Sequence, residues 1–331
     1  MELDWLRTFL AVLDRGGFSA AAEQVHRSQS RVSAHIAALE RELGVILIDR
    51  SRRPARVTPA GEILAERARD ILAAVGSARS AVGAARGLNE GRVTLLTTPC
   101  VGATFLAGPL GRLAAADLGV RFAVREDPHP DVDRRFLDDG VALAVLPAFV
   151  VRSAPGLRER ILWEEPVRAV VPAGHRLAGL SRPVGLAEVV REPLVVPGAS
   201  ADGVPEILEL IARRGVVASA TATADSAATV AALVRSGIGV GLLTAVAACR
   251  VTEGSTGGEL VAVPLADTGL VRRVYAYWYD VLLDTELGKR LLDEVLAEPA
   301  PAGAVPVAPP PDDPAAALID RFAARNGAAV R

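Results

Sequence analysis

The residues best suited to chemistry in this 331-residue chain lie between Ser28 and Arg53. Gln29, Ser30, Arg31 and Ser33 stand in the first turn or so of a segment opened by Ser28. Glutamine and arginine are the side chains that pair bidentately with adenine and guanine in a DNA major groove. Arg50, Arg52 and Arg53 follow as a tight cluster, an arrangement that grips phosphates without reading bases. His35 belongs to the same arm and joins the DNA-facing candidates. Across positions 27–56, Arg27, Arg31, Arg41, Arg50, Arg52, Arg53 and Arg56 face only Glu40, Glu42 and Asp49, while the whole chain carries a formal charge of −2. The basic patch is therefore local, and the chain is no general polyanion binder.

Other chemistry is scarce. His26, His35, His129 and His175 show no metal-ligand spacing, and Cys100 with Cys249 make too few thiols for a zinc site. No Ser-His-Asp order stands out. Neither a catalytic cluster, nor a metal, nor a cofactor is expected, so the chain does not read as an enzyme. Gly237-Ile238-Gly239-Val240-Gly241 has the composition of a nucleotide loop, but helix precedes it and strand follows, the reverse of a phosphate cradle.

The elements that must position the basic patch are legible. Ser19 is expected to cap a short helix over 20–25, and Ser28 a second whose apolar Val32, Ile36, Leu39 and Leu43 step by 4, 3 and 4 before Gly44 stops it. Strand-like Val45-Ile46-Leu47-Ile48 leads to the arginine cluster. Together these form a winged helix-turn-helix, which lays its second helix in the major groove and a loop along the phosphates. Thr58 then caps a helix with Pro59 at its first position, running to about Arg86. Its Leu64, Ala68, Ile71, Val75, Ala78, Val82 and Ala85 advance by 4 and 3 in turn, the seam of a coiled coil. A helix buried against its own domain would show the same stripe.

After Gly87 to Gly91 the pattern becomes mixed α/β. Strands are expected at 93–97, 120–124, 141–146, 167–171, 194–196, 221–223 and 239–243. Helices are expected through Phe105 and Leu113, around 132–137, and over 205–214 and 227–236. A last strand at 273–279 and a helix at 285–296 follow. Alternation of this kind indicates parallel sheets.

Leu6-Arg7-Thr8-Phe9-Leu10-Ala11-Val12, Gly17-Phe18-Ser19-Ala20-Ala21-Ala22, Ser28-Gln29-Ser30-Arg31-Val32-Ser33, Leu39-Glu40, Leu43-Gly44, Asp49-Arg50 and Thr58-Pro59-Ala60-Gly61 resemble, in order and spacing, the DNA-binding arm of LysR-type transcriptional regulators. Ser30 stands where the family often has proline, Ile48 where an aromatic is usual, and Ala142 where aspartate is common. The resemblance implies a winged helix-turn-helix over 1–58 and a linker and dimerisation helix over 59–87. It also implies an effector-binding domain over 88–297, made of two α/β subdomains similar to periplasmic solute-binding proteins. Subdomain I would take about 88–168 and 265–297, and subdomain II about 169–264. It further implies double-stranded DNA as partner, a homodimer or homotetramer, a small-molecule effector in the cleft between subdomains, and contact with RNA polymerase.

In such a cleft the ligand meets loops at the carboxyl ends of strands, where helix N-termini offer free N–H groups. Thr98 and Cys100 occupy one such loop, Ser200 a second, Asp225 a third, and Arg152 follows the third strand. Each also has a plain role, as a helix cap for Ser200 and Asp225 and as a solvated cation for Arg152. Some relatives sense peroxide through a cysteine pair in the second subdomain, whereas Cys100 falls in the first. A solute-binding module would have no use for residues 1–87; a thiol-based redox sensor is the other alternative. No signal peptide or long apolar span is evident, so a cytoplasmic, membrane-free protein is expected. From Glu298 to Arg331 the composition turns proline- and alanine-rich, and an extended disordered tail is expected.

Overall fold

The computed structural model describes residues 1–49, 56–116, 119–126, 140–147, 157–198, 204–253 and 259–307. Arg50, Arg52, Arg53, Arg152, Ser200, the helix expected around 132–137 and residues 308–331 lie outside them. The chain divides into two compact units, one over Met1–Arg79 and one from Ser80 onward.

The first unit is built from α1 (Leu3–Asp14), α2 (Phe18–Gln24), α3 (Gln29–Leu43), the two-residue strands β1 (Ile48–Asp49) and β2 (Arg56–Val57), and the start of α4 (Pro59–Asn89). Leu6, Phe9 and Val12 of α1 close over Ala21, Val32, Ile36 and Leu39, all buried. The Ser28 hydroxyl accepts from the Arg31 amide at 3.3 Å, and Gly44 ends α3 at φ 68°, a left-handed conformation that an L side chain resists. Ser19 does not cap α2. The half-buried Phe18 is already helical and Gly17 holds the cap position, so the helix begins before the serine.

Among the described residues the strand expected over 45–48 begins only at Ile48. Leu47 and Ile48 give their amides to the Glu40 carboxylate, at 2.9 and 3.2 Å, and only Ile48 and Asp49 pair with Val57 and Arg56. Thr58 Oγ1 accepts from the Gly61 amide at 3.1 Å and donates to the Ile46 carbonyl at 2.8 Å, so one hydroxyl starts α4 and fastens it to the wing. Gly61 is required there, because a Cβ would sit 2.4 Å from the Leu47 oxygen. The seam residues Leu64, Ala68 and Ile71 pack into this unit's own core.

In the second unit, one sheet has the order β4 (Arg121–Glu126), β3 (Arg92–Thr97), β5 (Leu143–Pro147), β11 (Val271–Tyr279), β6 (Leu157–Pro172), with β3 parallel to both neighbours. The other has β6, β9 (Val240–Thr244), β7 (Leu194–Pro197), β8 (Ala220–Ala224), and β10 (Leu260–Pro264) also pairs with β6. The long strand β6 serves both: residues 157–166 pair with β11, and 167–172 with β9 and β10. The expected strand at 167–171 is thus only its second half. The first half is rich in charged residues, and within it Trp163 and Glu165 are buried. Among the buried clusters that result, one gathers around Trp163, Trp278 and Phe105 and another around Val171, Val196 and Ile211. Among the described residues no helix is long and apolar enough to cross a membrane.

The tail expected from Glu298 is ordered through residue 307. Val305 and Pro306 form β12 against Glu164 and Trp163 of β6, and Ala300 and Ala304 pack on the first core.

Candidate functional site

On the first unit, Gln29, Ser30 and Arg31 stand exposed at the amino end of α3, and Ser33 is half-buried. The Ser28 and Ser30 hydroxyls lie 2.9 Å apart. His35 is half-buried, with Nδ1 2.9 Å from Thr8 Oγ1, while that hydroxyl lies 2.7 Å from the Asp4 carbonyl. His35 therefore ties α3 to α1. Burial and then Arg31, against Asp4, lower its pKa from the ordinary 6.5.

On the second unit, a cleft of about 450 Å³ opens where the two sheets meet. Thr98, Cys100 and Asp225 all line it. Thr98 stands at the end of β3, 7 % exposed, and its hydroxyl is buried without a hydrogen-bond partner. Asp225 precedes Ser226, and it is Ser226 that caps the helix Ala227–Arg235, accepting from the Thr229 amide at 3.1 Å. Burial and the nearby Glu165 push the Cys100 thiol up to about 11, so it is protonated at neutral pH.

Arg272, which also lines the cleft, is held from beneath by residues that the sequence did not single out. Glu165 is fully buried on β6; one carboxylate oxygen accepts from Trp163 Nε1 at 2.9 Å and the other meets Arg272 Nη2 at 2.7 Å. Arg272 also approaches Glu206 at 3.4 Å and Thr244 Oγ1 at 3.4 Å. Burial works against its charge, but Glu165 and Glu206 outweigh it and raise the guanidinium's pKa further. The Arg272 Nε–H remains buried and unpartnered. Arg250 lines the same cleft, and among the described residues no carboxylate lies within ion-pair distance of it. No such signal marked Arg272 in the sequence: it lies just before the strand expected at 273–279, beside a second arginine, Arg273.

This arrangement, a helix-turn-helix unit followed by two α/β layers around a cleft, agrees with the sequence comparisons. Residues 3–62 match the family described as bacterial regulatory helix-turn-helix protein, lysR family, and residues 86–300 match the LysR substrate binding domain. The chain belongs to the LysR family of transcriptional regulators. Over 243 residues, 72 % of this chain and 76 % of the relative, it is 35 % identical to a probable hydrogen peroxide-inducible genes activator of Mycobacterium leprae. It is 36 % identical over 181 residues to the SDS degradation transcriptional activation protein of a Pseudomonas species, a match spanning 55 % of this chain and 59 % of that protein. In fold it is similar to a full-length OxyR variant from Pseudomonas aeruginosa, with TM-score 0.54 and 19 % identity over 93 % of this chain and 99 % of that one. The LysR resemblance read from residues 6–61 is borne out, and the second unit of this LysR regulator is its effector-binding domain.

Proposed function

We propose that this LysR regulator binds operator DNA as a homodimer or homotetramer and is switched by a small anionic metabolite with an apolar body, held in the cleft of its second unit. The observation that carries the effector reading is that two residues lining that cleft each hold an unsatisfied polar atom. Thr98 Oγ1 and Arg272 Nε are both buried without partners, and such groups cost free energy until something bonds to them. An oxyanion that reached both would relieve them. It would compete with Glu206 for Arg272, since that is the longer of its two ion pairs. Arg250 adds charge, and Ala103, Ala228, Ala231 and Ala247 leave room for an apolar body.

On the DNA side, Gln29, Ser30, Arg31 and Ser33 would face base edges while Arg50, Arg52 and Arg53 hold phosphates. His35 supports them from behind. Pairing through the later half of the α4 seam is supported by Val82, which is 72 % exposed. The regulator works in the cytoplasm, acts on transcription through RNA polymerase, and uses no cofactor besides its effector. Ligand occupancy changes DNA binding only through differential affinity for two arrangements of the protein.

A thiol-based redox switch is the second reading, favoured by the name of the Mycobacterium leprae relative and by Cys100 at the cleft. A thiol held protonated to about pH 11 favours metabolite binding over it. A gel shift with the DNA upstream of this regulator's own gene, titrated with a panel of small carboxylates that carry apolar bodies, tests the proposal. A shift that responds to one such anion supports it. A shift that responds only to peroxide, and is lost in Cys100→Ser, supports the redox reading.

A further inference from the structure

The helix Ala245–Glu253 has two working faces. Ala247, Arg250 and Val251 line the cleft. Ala245 and Cys249 point to the opposite side, as a helical rotation of about 100° per residue requires. That rear face is covered by the segment 298–307, which runs on past the end of the LysR domain match at residue 300.

The segment is fastened at both subdomains. On the first, Glu298 pairs with Arg112 at 2.6 Å, Ala300 and Ala304 pack on the core, and Val305 and Pro306 pair with Glu164 and Trp163. Those two residues immediately precede Glu165, which holds Arg272. On the second, Gly303 lies against the rear of the helix so closely that a Cβ would sit 2.7 Å from the Ala245 oxygen and 2.8 Å from Cys249 Sγ. Its φ of +87° excludes an ordinary side chain on a second, independent ground. The turn that presents it is closed by the Ala304 amide on the Pro301 carbonyl at 3.0 Å.

We infer that residues 298–307 are a clasp that joins the two subdomains behind the effector cleft and limits how far they move apart. The regulation proposed here rests on the cleft being the effector site, but the clasp itself does not. Because the segment grips the back of the helix whose front carries Arg250, opening the cleft strains the clasp. Releasing the clasp loosens the cleft wall.

The test uses hydrogen exchange on the full chain and on a chain ending at Glu298, which keeps the Arg112 pair. Truncation should speed exchange of the amides of 245–253 by about tenfold, with the β3 core unchanged, since local opening free energies set these rates. Exchange within about twofold of the full chain would overturn the inference. Should the truncated chain fail to fold, Gly303→Ala in the full chain decides, because its Cβ would sit 2.7 Å from the Ala245 oxygen and lift the segment off the helix. Exchange of 245–253 should then rise by about tenfold, and exchange within about twofold of the wild type would show that the segment is not docked there. Loss of operator response alongside slow exchange in the full chain would count against the effector assignment and leave the clasp standing.

Discussion

Arg272 and Glu165 sit opposite one another on β11 and β6, with 2.7 Å between Nη2 and Oε2, at the last pair of residues before β6 reaches Pro166 and passes into the second sheet. Glu165 is fully buried and the Arg272 side chain is 15 % exposed. From this point the guanidinium reaches Thr244 at the end of β9 and Glu206 at the start of the helix Glu206–Ala212. One side chain therefore holds the sheet switch and faces the cleft.

Breaking that pair from one side leaves a buried charge alone. Glu165→Gln or Arg272→Met is expected to cost about 3–5 kcal/mol, and the double variant clearly less than the two added. Urea unfolding of the three proteins checks this; full additivity would mean the pair is not coupled.

Phosphate contacts are blind to sequence. Arg52→Ala with Arg53→Ala should weaken specific and random DNA alike and lower the salt slope by about 1 per lost contact. These arginines lie outside the described residues, and the prediction follows from their clustering in the sequence. Loss confined to the specific site, at an unchanged salt slope, would assign them to base reading instead.

His35 makes the DNA-binding unit sensitive to acid. Its folded pKa is depressed below 6.5, chiefly by burial and Arg31. The unfolded chain therefore takes up the proton first as pH falls through about 6.5, and stability present above that pH is lost towards the lower folded value. The urea midpoint should fall between pH 7.5 and 5.5 in the wild type and change less in His35→Gln. Equal falls would move the acid sensitivity to another group.

Pairing through α4 rests on the seam beyond Ile71. Val75→Asp should abolish the dimer by light scattering and operator binding by gel shift, since an unpaired charge in an apolar seam is costly. A dimer that survives would take the seam out of the interface.

Much of this was legible in the sequence where local rules decide. Ser28, the stripe Val32, Ile36, Leu39 and Gly44 fixed the recognition helix because capping, period and a left-handed stop all agree there. The stripe's last member, Leu43, is 42 % exposed, because the helix ends before anything covers it. Thr58 and Pro59 marked α4 for the same local reason. Ser19 misled because a serine inside a first turn looks like one before it. Thr98, Cys100 and Asp225 were found by asking where strands end, and all three line one cleft. Glu165 and Arg272 were not, since they meet only when β6 and β11 pair across a long separation in sequence. The ordered segment 298–307 was missed because its docking depends on backbone pairing and on a side chain Gly303 does not have, neither of which composition reveals.

Thr98 carries the effector proposal most directly, since it lines the cleft and its hydroxyl is buried without a hydrogen-bond partner. Thr98→Val keeps shape and removes only that hydroxyl, so the fold and basal operator binding should persist while the effector response disappears. The deciding measurement is a gel shift of wild-type and Thr98→Val protein on the upstream DNA, with and without the metabolite that shifts the wild type. Equal basal binding with at least a tenfold loss of metabolite sensitivity in the variant is the predicted result, as expected for loss of a hydrogen bond to a charged group worth about 1.5–3 kcal/mol. Unchanged sensitivity, or a wild-type protein that does not bind the DNA at all, would contradict it.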